Sequence, residues 1–224
     1  MHQQRAESET DPGGRSFLVL PSIAMGRPHR IEVPGGFYHV HTRGNDRQDI
    51  SFGNWSGRLF VRELARAAQR HGWRILAYCL MTNHYHVVLQ IDERFSAGMC
   101  ELNGRFATTS NWINRRKDHL FGQRFKSHLI EDDAYLLASV RYVLLNPVRS
   151  AGVRRPEHWR SSNMRAFLGT ERPPAWLDVD FVLGYFGATP SSARRHFYDF
   201  VVEGIGRPVP VPGTDPRAVP LTRG

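Results

Sequence analysis

The sequence is poor in lysine and in cysteine. Its 224 residues hold only Lys117 and Lys126 beside 28 arginines, and only Cys79 and Cys100. Two cysteines outside any CxxC pattern exclude a disulfide framework and a cysteine-rich zinc module; they read as buried thiols of a reducing compartment. Also missing is an apolar run of the roughly 18 residues that a membrane helix needs. The best candidate, Ile75 to Ile91, is broken by Asn83, His84 and His86, so no membrane partner is expected. Hydrophobic residues at 41% and charged residues at 23% are ordinary for a globular chain, which excludes a fibre or a wholly disordered protein. The length suits one domain with appendages.

The net charge is +9, and its distribution is uneven. Residues 104–128 carry a net +5, residues 139–172 another +5, and the remainder −1. Clustering of this kind is the footprint of a polyanionic partner. Arginine adds a planar fork suited to phosphate, although genomic base composition produces the same ratio. A solvated basic face without a ligand is the alternative reading.

Along the chain, residues 1–26 are polar and then briefly apolar, with Pro21 interrupting; this argues against a signal peptide and for a poorly ordered segment. Regular patterning begins only after Met25. Residues 207–224 hold five prolines and read as a disordered tail. Between them, strands are expected at Phe37 to Arg43, Trp73 to Met81 and His84 to Ile91, the last two joined by a tight turn at Thr82-Asn83. A short strand is expected at Ser127 to Glu131. Helices are expected at Trp55 to Arg70, ended by Gly72, at Ser96 to Arg116, and at Asp133 to Leu145 with Asp132 or Asp133 as N-cap. Two more are expected at Trp176 to Phe186 and at Ser191 to Val202, the latter capped by Ser191. The alternation predicts an α+β fold, an antiparallel sheet with helices packed on it.

The sharpest chemistry lies in Asn83-His84-Tyr85-His86. Residues two apart on a strand share a face, so His84 and His86 project side by side as a two-ligand metal site, with Tyr85 opposite. His39 and His41 have the same spacing, and spacing alone does not choose between the pairs. Pairing of their strands would put all four on one sheet. A second constellation is Tyr142 and Asn146, four apart on a helix face. They read either as a nucleophile beside a metal ligand, or as a half-buried tyrosine and an asparagine ending the helix before Pro147.

Several ordered segments carry a resemblance. They are Phe37-Tyr38-His39-Val40-His41-Thr42-Arg43-Gly44-Asn45, Leu80-Met81-Thr82-Asn83-His84-Tyr85-His86, Gln123-Arg124-Phe125-Lys126, Tyr135-Leu136, and Arg141 through Arg149. In these, residues 27–169 resemble the single-tyrosine HUH transposases, and especially the REP-associated tyrosine transposases of bacteria. The resemblance implies a ferredoxin-like sheet and a domain over 27–169, leaving 170–206 as a small helical extension. It implies His84 and His86 as metal ligands with Asn146, Tyr142 as nucleophile, and His39 as a recurrent position that is not a ligand. The implied cofactor is a divalent ion, Mg²⁺ or Mn²⁺. The implied substrate is single-stranded DNA folded into a hairpin, cut and rejoined through a 5′-phosphotyrosine in a cytoplasmic, nucleoid-associated protein that is a monomer or homodimer.

Arg43, Arg115, Arg116, Lys117, Arg124, Lys126, Arg141 and Arg149 are the expected DNA contacts, with Trp112, Phe121 and Phe125 as aromatics that would stack on unpaired bases. For Phe125 a core position is an equal alternative. One departure from the family pattern is Trp159-Arg160-Ser161-Ser162-Asn163, where many relatives read Trp-Ser-Ser, and it leaves that segment's role open.

Overall fold

A computed structural model describes residues 32–92 and 94–208, together with a hairpin of β1 (Ser8–Thr10) and β2 (Ser16–Leu18). Apart from that hairpin, the expectations for 1–26 fall outside the described residues, as do those for the tail beyond residue 208. The main unit comprises β3 (Phe37–Arg43), α1 (Asn54–His71), β4 (Arg74–Leu80), β5 (His84–Gln90), α2 (Phe95–Ile113), β6 (Lys126–Ile130), α3 (Asp133–Ser150), α4 (Met164–Leu168), α5 (Val179–Leu183) and α6 (Pro190–Val202). The four strands form one antiparallel sheet in the order β4-β5-β3-β6. This is the expected ferredoxin-like arrangement with a helical extension.

Alternation along the strands sorts side chains between two helical layers. One face carries Tyr38, Val40 and Tyr85 against α1 and α2: Tyr38 meets Phe95 at 4.9 Å and Tyr85 meets Phe60 at 4.8 Å. The buried Tyr85 hydroxyl accepts from Thr42 at 3.0 Å and donates to Asn103 at 2.6 Å, so its polar end is satisfied. The other face carries the histidines and packs under α3. β5 lies between β3 and β4, and every residue from His84 to Leu89 is buried.

Local chemistry sets the helix ends. Gly72 adopts φ 65° after α1, the left-handed C-terminal geometry that glycine takes without a Cβ penalty. Asp132 caps α3 by accepting from the Tyr135 amide at 2.7 Å. The first amides of α2, at Phe95 and Ser96, are met by the Glu32 carboxylate at 3.1 and 2.9 Å, a contact with no local sequence signal.

Of the two thiols expected to be buried, Cys79 is and Cys100 is exposed. Three expectations about the helices are also corrected. Pro147 does not end α3, which continues to Ser150; Leu144, Leu145, Asn146 and Pro147 are all buried, and that packing overrides the local bias before proline. Asn146 therefore stands inside the helix and is no C-cap. α6 is capped by Thr189, not Ser191, because Pro190 suits the first helical position. The helix expected over Trp176 to Phe186 shrinks to α5, since Leu177 instead bridges Ile75 on the edge of β4.

That edge explains the Trp159–Asn163 segment. An open strand edge presents unpaired amides and carbonyls. Here the Leu80 amide donates to the Ser161 carbonyl at 2.8 Å, and the Trp159 indole donates to the Leu80 carbonyl at 2.8 Å. The Asn163 side chain accepts from the Tyr78 amide at 2.9 Å and donates to the Leu76 carbonyl at 3.1 Å. Asn163 is buried, so Asn163→Ala strands two buried backbone groups. It should lower unfolding free energy by about 2–3 kcal/mol, read from urea denaturation; an unchanged midpoint would contradict this role.

Candidate active site

β3 and β5 run antiparallel with His41 opposite His86 and Arg43 opposite His84, while β6 places His128 opposite His39. Period two then gathers His39, His41, His84, His86 and His128 on one face. The two candidate pairs are thus neighbours on one sheet. His39 and His86 are stacked with ring centroids 5.1 Å apart, and His84 and His86 meet edge-on at 5.0 Å. His128, opposite His39, was not singled out from the sequence, although it too lies on a strand with the same alternation.

Above this face α3 supplies Tyr142 and Asn146 from successive turns. The Tyr142 ring lies 5.4 Å from that of His86 and 5.6 Å from that of His39. Asn146 Oδ1 lies 3.3 Å from His84 Nε2. The four residues singled out for metal and nucleophile are therefore brought together within one chain. Two further contacts were not foreseen: His86 Nδ1 is 3.0 Å from His39 Nε2, and His84 Nδ1 is 2.8 Å from Asn83 Oδ1. Asn83 adjoins His84 in the sequence, but its side chain's target is a matter of turn geometry that no periodicity reveals.

Burial makes these imidazoles neutral. Desolvation first, then His41 and His128, lowers His39 to about 3. Desolvation, then His128, Lys126 and Arg43 among others, lowers His41 to about 4. His86 is pushed well below the ordinary value by burial and by its histidine neighbours. His84 is lowered mainly by burial, against an opposing hydrogen bond from Asn146, and His128 is lowered by burial and Lys126. Neutral rings near pH 7 keep lone pairs free for a metal.

The donor set fits a divalent cation. Two neutral imidazoles and an amide meet here, with His84 Nε2 3.3 Å from Asn146 Oδ1, and nitrogen and oxygen donors of this kind suit a divalent ion. Among the described residues, no three His, Cys, Asp or Glu side chains form a metal-holding group. Asn146 would be the third protein ligand, and a mixed N/O set suits Mn²⁺ better than Mg²⁺.

Basic side chains flank the site on two sides. A cleft of about 440 Å³ is lined by His41, Arg43, Arg47, Arg124 and Lys126 with the Gly44–Asp46 loop. Beyond it, the end of α2 displays Arg115, Arg116 and Lys117 around Trp112, which is 80% exposed. Arg149 lies over the Tyr142 ring at 5.6 Å and donates to the Arg207 carbonyl at 3.2 Å. Arg141 is turned instead onto the Phe200 ring at 4.4 Å. Of the three aromatics expected to stack on bases, Phe125 is buried against Phe95, and the partly buried Phe121 packs on Phe106 at the edge of the core, leaving Trp112 in solvent.

Comparisons with known proteins identify a family and a fold. A family model described as "Transposase IS200 like" matches residues 33–149. A protein of Haemophilus influenzae described as a REP-associated tyrosine transposase is 22% identical over 162 residues, covering 67% of this chain and 92% of the relative. The solved structure of a REP-associated tyrosine transposase bound to a REP hairpin superposes with a TM-score of 0.56 at 19% identity, covering 69% of this chain and 93% of that one. This likeness is one of fold.

The buried imidazoles predict acid sensitivity. Below pH 6.5 the unfolded chain takes up protons that His39 refuses in the fold, so stability is fully present above that pH and is lost as pH falls towards about 3. The slope from His39 alone is up to about 1.4 kcal/mol per pH unit. Urea midpoints at pH 7 and pH 5 should separate more in the wild type than in His39→Gln; equal separations would contradict this.

Proposed function

The chain belongs to the IS200-like transposase family, and from that premise we propose that it is a REP-associated tyrosine transposase that cuts and rejoins single-stranded, hairpin-bearing DNA through a 5′-phosphotyrosine at Tyr142. The observation that carries this reading is the meeting of Tyr142 and Asn146 from α3 with His84 and His86 from the central strand. The similarity to a transposase bound to a REP hairpin supports the choice of substrate.

Each residue has a role in this reading. His84, His86 and Asn146 would hold a divalent cation. When bound, it supplies Lewis-acid polarisation of the scissile phosphate and neutralises developing charge. Tyr142 stands beside His86 and His39 on a helix anchored by buried leucines, which restricts the directions from which its hydroxyl can approach phosphorus. Attack forms the Tyr Oη–P bond and breaks the P–O3′ bond. The phenol proton passes from Oη to solvent and solvent returns one to the departing O3′, so that strand carries a free 3′-hydroxyl. The phosphodiester's energy is kept in the phosphotyrosine, so a later 3′-hydroxyl can reverse the step without ATP. Arg149, over the Tyr142 ring, meets the non-bridging oxygens as charge builds. Arg43, Arg124 and Lys126 in the cleft, and Arg115 to Lys117 beside the exposed Trp112, guide the strand by phosphate contact and stacking. Arg141, stacked on Phe200, is a packing residue in this scheme.

The test is a covalent-adduct assay. Labelled single-stranded hairpins from the DNA flanking the gene are mixed with the full chain and Mn²⁺ and run on a denaturing gel. The expected result is a protein–DNA adduct that disappears in Tyr142→Phe and with chelator, while hairpin binding by Tyr142→Phe is retained. Tight binding with no adduct in the wild type would instead assign a DNA-binding protein that does not cut.

A further inference from the structure

We propose that Asn83 is a positioning residue, pinned at one end by the Arg47 carbonyl, that fixes the His84 ring in the form whose Nε2 lone pair faces Asn146. This rests on the metal reading above and goes beyond it, to what presents the ligand.

The geometry leaves little choice. A backbone carbonyl accepts hydrogen bonds and cannot donate. The Asn83 group 3.1 Å from the Arg47 carbonyl must therefore be the amide nitrogen. This turns Asn83 Oδ1 onto His84 Nδ1 at 2.8 Å. An amide oxygen also only accepts, so the proton of the neutral imidazole sits on Nδ1. Nε2 is left with its lone pair, 3.3 Å from Asn146 Oδ1. Asn146 Nδ2 has no partner of its own, so this amide can turn either its oxygen or its nitrogen toward that lone pair. The lone pair is open to a cation, whereas the other tautomer would place an N–H there and close the position to metal. A partner for the remote imidazole nitrogen is a recurrent device for orienting metal-bound histidines.

The anchor is itself held in an uncommon shape. Asp46 and Arg47 both have positive φ, at 47° and 61°, in a region that non-glycine residues visit seldom and at some cost. The same loop is tied to the β4–β5 turn through backbone bonds. The Gly44 amide donates to the Asn83 carbonyl at 2.8 Å, and the Ile50 and Ser51 amides donate to the Thr82 carbonyl at 2.8 and 3.0 Å. Truncating the Asn83 side chain leaves those bonds intact, so the loop and turn stay joined while the link to the ring is lost.

Two readouts test the inference on the full chain. Long-range ¹H–¹⁵N NMR without metal reads the His84 tautomer, and calorimetric titration reads Mn²⁺ affinity. The wild type should carry the proton on Nδ1. Asn83→Ala should move it to Nε2, where it can donate to Asn146, and weaken Mn²⁺ binding about 10–100-fold. Asn83→Asp keeps an acceptor for Nδ1–H but loses the donor to the Arg47 carbonyl, so it should restore the Nδ1 tautomer and only part of the Mn²⁺ affinity. Asn83→Ala with an unmoved proton and unchanged affinity would overturn the inference, leaving Asn83 as a turn residue. A wild-type chain with the Nδ1 proton that binds no Mn²⁺ would instead sink the metal reading and leave Asn83's hold on the tautomer standing.

Discussion

Everything at the site depends on five histidines being held, uncharged, under a helix. Burying an imidazolium without a counter-ion is unfavourable, and like-charged neighbours make it worse. The sheet therefore keeps these rings neutral, as the lowered values of His39, His41 and His86 attest. Neutral rings need hydrogen-bond partners or a cation. His86 finds His39, and His84 finds Asn83 on one side and Asn146 on the other. The Asn146 amide nitrogen is left without a partner, as are His39 Nδ1 and His41 Nδ1.

The rest of the fold can be understood as keeping α3 in place over that face. α3 continues through Pro147 although the proline removes a backbone donor, because its last turns are buried. The chain after α3 folds back along β4, closing the sheet's edge with Ser161, Asn163 and Leu177. Arg141 stacks on Phe200 of α6, and Arg149 reaches the Arg207 carbonyl, so the extension also supports the face of α3 that carries Tyr142. Rigid support of this kind holds a nucleophile within reach of its target.

Much of this was legible in the amino-acid sequence, for a physical reason. The strand and helix periods are local, so His84 and His86 on one side of a strand, and Tyr142 and Asn146 on one side of a helix, follow from spacing. The antiparallel pairing that joins His39 and His41 to them was foreseen only as an option, because register depends on distant residues. What stayed hidden depends on contacts across the chain: Glu32 on the start of α2, Asn163 on the edge of β4, and the amide of Asn83 between Arg47 and His84. The stop expected at Pro147 failed because tertiary burial outweighed a local backbone preference. Phe121 and Phe125 were grouped with Trp112 by their basic neighbours, yet charge in the sequence does not say which way a ring points.

Anomalous diffraction from crystals soaked in Mn²⁺ tests most directly whether this face is a metal centre. The predicted result is a peak bounded by His84, His86 and Asn146, below Tyr142. A peak seated against His41 and His128 instead, or none at saturating Mn²⁺, would contradict it.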